Sequence, residues 1–340
     1  MTWRVRRFRP ILALSVAAAV TLGIAGVAVG QGHIEQRFAF DESAGQLPEG
    51  VAVDKQGNIF VSLAPLGELW VFEPGSDTPE LFGQVDGIDP STDLGLLGLA
   101  ADARGNVYGG VQSLNPDANG VWIFDTKTGE ANRIPGSEVV GLANDVAFDK
   151  RGNLYITDSL LGAIWRVPRA GSIEPWSIGD PNLAGTGALG LGVPIGANGI
   201  EYRHGTLYVA VTEQFSLVSV PIAVDGSAGD SSIVATFAPD SFGFPGAPDG
   251  IALDVHGNVY VALIAQQKVA KVTPSGDVSD AATGELFDWP SSIAFGTGMG
   301  DKQTLFAVNF SIGESSGDPF PRPGPSLLAI DMGVPGASLP

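Results

Sequence analysis

The sequence has no cysteine. Disulfides cannot hold the fold, a lipid-modified cysteine anchor is excluded, and there is no thiol nucleophile. Burial alone must stabilise whatever the chain builds. Histidine is almost as scarce, with 3 in 340 residues. His33 stands beside an N-terminal leader, and His204 and His256 fall in turn motifs, so no histidine pair is available for acid–base work. Helical periodicity is nearly missing, and no Gly-x-Ser-x-Gly nucleophile elbow occurs. Basic residues are few: 18 Lys and Arg face 37 Asp and Glu, for a formal charge of −19. Four of those bases (Arg4, Arg6, Arg7, Arg9) lie in the first ten residues and every acid lies beyond residue 30, so the remainder is more acidic still. Such a surface repels nucleic acid and anionic membrane, which excludes both as partners, and it attracts cations.

The basic start is followed by an uncharged apolar run from Ile11 to Gly30, closing on Ala28-Val29-Gly30, a small-x-small cleavage site. This order reads as a secretory signal peptide over residues 1–30, making the protein secreted or periplasmic. A retained signal-anchor is the alternative, because about 20 apolar residues can span a bilayer. Residues 31–340 are then one domain.

That domain is rich in glycine, with short β-branched and aromatic runs separated by Gly, Pro, Asn and Asp. One motif recurs: Asp54-Lys-Gln-Gly57-Asn58, Asp102-Ala-Arg-Gly105-Asn106, Asp149-Lys-Arg-Gly152-Asn153 and Asp254-Val-His-Gly257-Asn258. Each leads into an apolar-aromatic strand. Looser copies lead into Leu207-Tyr208-Val209 and Leu305-Phe306-Ala307. The element is a hairpin turn, not a calcium loop, because EF-hand ligand spacing is absent. A spacing of roughly 40 to 55 residues is that of a four-stranded blade. The chain is thus predicted to be all-β, a six-bladed β-propeller. Its last blade has three strands of its own, and Ile34–Phe40 supplies the fourth against Leu327–Asp331, so an N-terminal strand closes the ring.

Aligning the first strand of each repeat on its apolar alternation leaves one leading position, which reads Glu49, Leu97, Asn144, Asn198, Asp249 and Ser291. First strands line a propeller's channel, so these positions form a ring. Glu49, Asn144, Asn198 and Asp249 offer the hard oxygen donors that calcium prefers, though another divalent cation could serve, and the two carboxylates balance its charge. Asn-Gly and Asp-Gly are also common turn dipeptides that could merely begin strands.

Leu47-Pro-Glu-Gly-Val-Ala-Val-Asp, Ala143-Asn-Asp-Val-Ala-Phe-Asp, Ala197-Asn-Gly-Ile and Pro248-Asp-Gly-Ile-Ala-Leu-Asp resemble the senescence-marker-protein, gluconolactonase and luciferin-regenerating-enzyme family over nearly all of residues 47 to 310. The resemblance implies a single calcium site on Glu49, Asn144, Asn198 and Asp249. It also implies hydrolysis of a small-molecule lactone or related ester; in that reading we assign Asp249 a dual role, as metal ligand and as base for the attacking water, with Glu49, Asn144 and Asn198 as structural ligands. Sugar-lactonase members resemble Arg-x-Asn-Asp at the third-blade motif; this chain has Leu142 two residues before Asn144, which points to a less polar ring or ester. A non-catalytic exported propeller, locked by its ion and binding a small molecule or protein, is the other reading, because the fold hosts both.

Gly185-Thr-Gly187-Ala-Leu-Gly190 spells a dinucleotide fingerprint without the strand and helix that it needs. Asp158 and Asn309 replace the aliphatic residues of other second strands, either to orient ligands or to bond between blades. Long loops are expected to bring Trp289, Phe215, Phe242, Phe244, Phe310 and Phe320 to the channel mouth.

Overall fold

Local sequence sets where each strand stops. In the Asp-x-x-Gly-Asn turns the aspartate binds its own loop: Asp54 Oδ1 accepts from the amides of Gln56 and Asn58, both at 2.9 Å, and Asn58 Nδ2 donates to Oδ2 at 2.7 Å. The same bonds recur around Asp102, Asp149 and Asp254. The turn glycine needs φ near +90°, as at Gly105 with +94°, which a side chain would resist. These motifs are turns, as the missing EF-hand spacing implies.

The computed structural model describes residues 32–312 and 322–339; the leader expected at 1–30 lies outside them. The described strands form six antiparallel four-stranded sheets. The innermost strands are Pro48–Val53, Gly95–Ala101, Ala143–Phe148, Ala197–Arg203, Pro248–Leu253 and Pro290–Phe295. Each packs beside the next, and the last packs on the first, so the sheets form a closed ring of six blades. Apolar clusters fill the spaces between blades; one joins Val51, Val53 and Val61 of the first to Phe306, Val308 and Leu327 of the last.

Closure is as the strand count predicts. Ile34–Ala39 is the outer strand of the last blade, running antiparallel to Ser326–Asp331 with Ile34 opposite Ile330 and Ala39 opposite Ser326. Phe38 and Phe40 meet edge to face, 4.9 Å between ring centres, and both reach Phe72 of the first blade. Ile34 packs instead with the cluster shared by the fifth and sixth blades. One short strand therefore ties three blades together.

The other chain end has a separate task. Beyond Asp331 the tail crosses the end of the channel where the hairpin turns lie. The Val255 amide donates to Pro335 O at 3.1 Å and the Ala337 amide to Leu253 O at 2.8 Å. Ala337, Ser338 and Leu339 then line that end of the channel.

Candidate functional site

Every innermost strand is interrupted at the same place. Pro48 pairs with Leu63 and Val51 with Val61, leaving one extra residue in the inner strand. The same shift falls between Leu96 and Leu99, Ala143 and Val146, Ala197 and Ile200, Pro248 and Ile251, and Pro290 and Ser292. A bulge of this kind turns a side chain out of the ladder. The residues it displaces are Glu49, Leu97, Asn144, Asn198, Asp249 and Ser291, the leading positions read from the repeat.

The next residue is glycine in four blades because the neighbouring blade occupies the space of a Cβ. At Gly199 a Cβ would stand 2.4 Å from Asp249 O, and at Gly98 it would stand 2.4 Å from Asp145 Oδ1. Hydroxyl groups bond the freed backbone across the same seams. Ser62 Oγ donates to Leu97 O, Ser291 Oγ to Glu49 O, and Thr212 Oγ1 to Pro248 O, at 2.8–2.9 Å. Thr212 also fixes one ligand candidate: it accepts from Asn198 Nδ2 at 3.0 Å, so Asn198 Oδ1 points the other way.

That oxygen is buried without a hydrogen-bond partner, and so is Glu49 Oε2. Two orphaned acceptors at one ring are costly, at about 1–3 kcal/mol each, and a cation placed there would satisfy both. The Glu49 carboxyl feels the charge of Asp249, and Asn198 favours the ionised form of Asp249. Asn144 shares the bulge position and is 9 % exposed; among the described residues its side chain makes no hydrogen bond to the other three. No three His, Cys, Asp or Glu side chains converge on one point among the described residues. An ion here would use the two carboxylates together with amide oxygens, a donor set that suits a hard divalent cation.

Two acids that the alignment passed over share the channel. Asp145 accepts from the Ile200 amide of the next blade at 3.0 Å and lines the channel wall with Glu201. Burial, then the charges of Asp249 and Asp145, hold the Glu49 carboxyl well above its usual range. Burial pushes Asp249 to about 8, with Asp145 adding to it. Burial likewise raises Asp145 to about 7, and burial with the Asp145 charge raises Glu201 to about 8. Between the unfolded values near 4 and these raised ones, the folded chain binds more protons than the unfolded chain. The cation-free protein is therefore expected to lose stability as pH rises from about 4 to about 8. Saturating calcium should remove most of that loss. Melting temperatures across pH, with chelator and with calcium, check this; a flat profile with chelator would show that the carboxylates ionise there without penalty.

An apolar arc borders the ring. Leu97, Leu142 and Phe310 form one buried cluster with Ala64, and Leu47 and Ile195 pack against it. Phe310 is the one aromatic residue of the expected rim in this cluster; Phe242 is 65 % exposed, and Phe320 lies outside the described residues.

The glycine-rich loop before Asn198 is built around an internal anion. Glu213 accepts from the amides of Thr186, Gly187, Leu189 and Ile195 at 2.5–3.3 Å, and these bonds hold its carboxyl below the usual range despite burial. This explains the false dinucleotide fingerprint: its amides do converge on a negative charge, but the charge is the chain's own. Glu213→Ala is expected to cost about 3 kcal/mol in chemical denaturation and to speed amide exchange at residues 186–195; unchanged exchange would show that the loop holds itself.

Asp158 and Asn309 act within their own blades and, among the described residues, bond neither ligand candidates nor neighbouring blades. Asp158 accepts from the Gly141 amide at 2.9 Å and the Leu142 amide at 3.1 Å, and Asn309 Oδ1 accepts from the Asp288 amide at 3.0 Å. Each thus shapes the loop entering its inner strand. His204 and His256 lie in the turns at the other end of those strands.

Comparison with known proteins agrees with the resemblance read from the motifs. Residues 190–308 match the family model described as SMP-30/Gluconolactonase/LRE-like region. A sequence comparison with curated proteins finds no match. Among solved structures, a luciferin-regenerating enzyme is similar at 15% identity and a TM-score of 0.66, covering 91% of this chain and 98% of its own. A gluconolactonase from Xanthomonas campestris is similar at 17% identity and 0.65, covering 90% of each chain. Regucalcin from Agrobacterium tumefaciens, a calcium-binding protein, is similar at 17% and 0.65, covering 91% of this chain and 96% of its own. Identities this low establish a shared fold.

Proposed function

We propose that the protein is an exported, calcium-dependent hydrolase of lactones or related esters, acting on a small molecule with a weakly polar ring or acyl part. The observation that carries this reading is the pair of orphaned, buried oxygens, Glu49 Oε2 and Asn198 Oδ1, beside the Asp249 carboxyl. The gluconolactonase and regucalcin of similar fold support the same class. Glu49, Asn144, Asn198 and Asp249 would hold the cation. When bound, a hard divalent cation polarises a carbonyl oxygen and offsets the negative charge that grows on it.

The chain's own groups divide the rest of the work. Asp249 takes the proton of the attacking water as the new C–O bond forms, then returns a proton to the leaving oxygen as the ester bond breaks. Thr212 keeps Asn198 turned so that its oxygen faces the ring. Leu97, Leu142 and Phe310 exclude water from one side and receive the apolar part of the substrate. Leu142 cannot bond a hydroxyl or carboxylate, so gluconolactone should be a poor substrate. The leader would carry the protein out of the cytoplasm, and neither nucleic acid nor a membrane surface is a partner in this reading.

A lactone and aryl-ester panel, run with calcium and with chelator, tests the proposal. Calcium-dependent turnover of apolar members is expected. Metal binding without turnover across the panel would favour a non-catalytic binding propeller. Glu49→Gln removes one of the two ring carboxylates and should weaken calcium binding by about tenfold or more; unchanged affinity in calorimetry would place the ion elsewhere.

A further inference from the structure

The hairpin-turn end of the propeller, opposite the ring, carries a second concave site. In a chain with a formal charge of −19, four cations line one pocket there: Arg104 on the second blade, and Lys150, Arg151 and Arg169 on the third. All four are exposed. The recorded ion pairs use Arg37, Arg133, Arg166, Lys268 and Arg322; among the described residues none of the four pocket cations pairs with a carboxylate. Acids outnumber bases about two to one in this chain, so four like charges left unpaired together are a cost that a bound anion would remove.

The two carboxylates in the pocket wall are already committed to their turns. Asp102 Oδ1 accepts from the Arg104 amide at 2.8 Å and the Asn106 amide at 2.9 Å. Asp149 Oδ1 accepts from the Arg151 amide at 2.8 Å and the Asn153 amide at 3.0 Å. Their second oxygens take Asn106 Nδ2 and Asn153 Nδ2. This same geometry projects the side chains of Arg104, Lys150 and Arg151 from the turn tips. The floor is aromatic: Tyr108 and Phe148 meet edge to face with 4.8 Å between ring centres. The Tyr108 hydroxyl reaches Asp102 Oδ2 only at 3.4 Å.

We infer that this pocket binds a compact oxyanion, phosphate or sulfate, either free or as the terminal group of a small ester. Guanidinium forks match two oxygens of such a group at once, and Lys150 adds a point charge. The aromatic floor suits a small organic ester portion. The pocket is concave and its lining has no large exposed hydrophobic side chain, which favours a small anion over insertion into a lipid leaflet.

Calorimetric titration of the full chain with inorganic phosphate, and with sulfate, at low ionic strength tests this. Saturable binding is expected. It should weaken by about tenfold or more in an Arg151→Gln/Arg169→Gln double variant whose melting temperature stays within about 2 °C of the parent. Arg104→Gln alone gives a second comparison should the double variant melt early. A parallel arm uses phosphatidylglycerol vesicles: any vesicle-bound protein should be released by free phosphate. Absence of saturable binding would overturn the proposal, as would equal binding by parent and variants. Vesicle binding that phosphate does not compete would replace it with a membrane contact. Hydrolysis at the ring should be unchanged in these variants, because the ring lies at the other end of the channel.

Discussion

The Asp249→Asn variant is expected to lose about 10²–10⁴-fold in turnover, the usual span for a positioned acid–base group, while losing far less in calcium affinity. The amide keeps an oxygen for the cation, so the donor count at the ring is preserved. What it removes is the group that can take and return a proton. Asp249 is 8 % exposed, and burial with the Asp145 charge raises its carboxyl to about 8. Removing that charge should also make the cation-free variant more stable than the cation-free parent above about pH 8, since one of the crowded carboxylates is gone. This readout separates a folded variant from a damaged one. Equal losses of turnover and affinity would reduce Asp249 to a simple ligand.

Removing the N-terminal strand should have the largest effect on stability. A chain beginning at Asp41 loses the outer strand of the last blade, with Phe38, Phe40 and Ile34. Burial of each such side chain is worth about 1.5–3 kcal/mol, and the whole strand's share is comparable with the 5–15 kcal/mol that holds a typical domain. The truncated chain should show no cooperative thermal transition. Phe40→Ala alone should cost about 3–5 kcal/mol, because Phe40 is 6 % exposed and its ring meets Phe38 and Phe72 edge to face. A truncated chain melting with the full one in scanning calorimetry would refute the closure role.

The blades and the ring position were legible in the sequence because both repeat. The Asp-x-x-Gly-Asn turn marks the same corner of four blades, and apolar alternation brings the inner strands into one frame. The mechanism of display was not legible. Alternation places Glu49 on the same face as Val51, but the extra residue between Pro48 and Val51 breaks that parity and turns Glu49 out of the ladder. A one-residue bulge leaves no mark that distinguishes it from a regular strand. Asp145 escaped notice because it follows the ring position, where four blades carry glycine. Glu201 did leave a signal: at its register the other blades read Ala52, Ala100, Ala147, Ala252 and Ala294. A lone acid among five alanines in a channel is conspicuous once the strands are aligned. The carboxyl of Glu213 could not be assigned in advance, since its partners are backbone amides of a loop without periodicity.

The closing strand has a consequence for how the chain reaches its folded state. Ile34 finds its partner at Ile330, nearly the full length of the domain away. The first of the described strands is thus the last to be paired, and until the final blade exists Phe38 and Phe40 have only the face of the first blade to cover them. Contacts this distant in sequence place the loop-closure cost late and make folding slow. Partial chains of any length short of the last blade keep an open edge at both ends of the arc, which leaves them prone to pair with one another. A propeller closed in this way passes through synthesis as an unfinished ring, and it becomes resistant to aggregation and proteolysis in one step when its two ends meet.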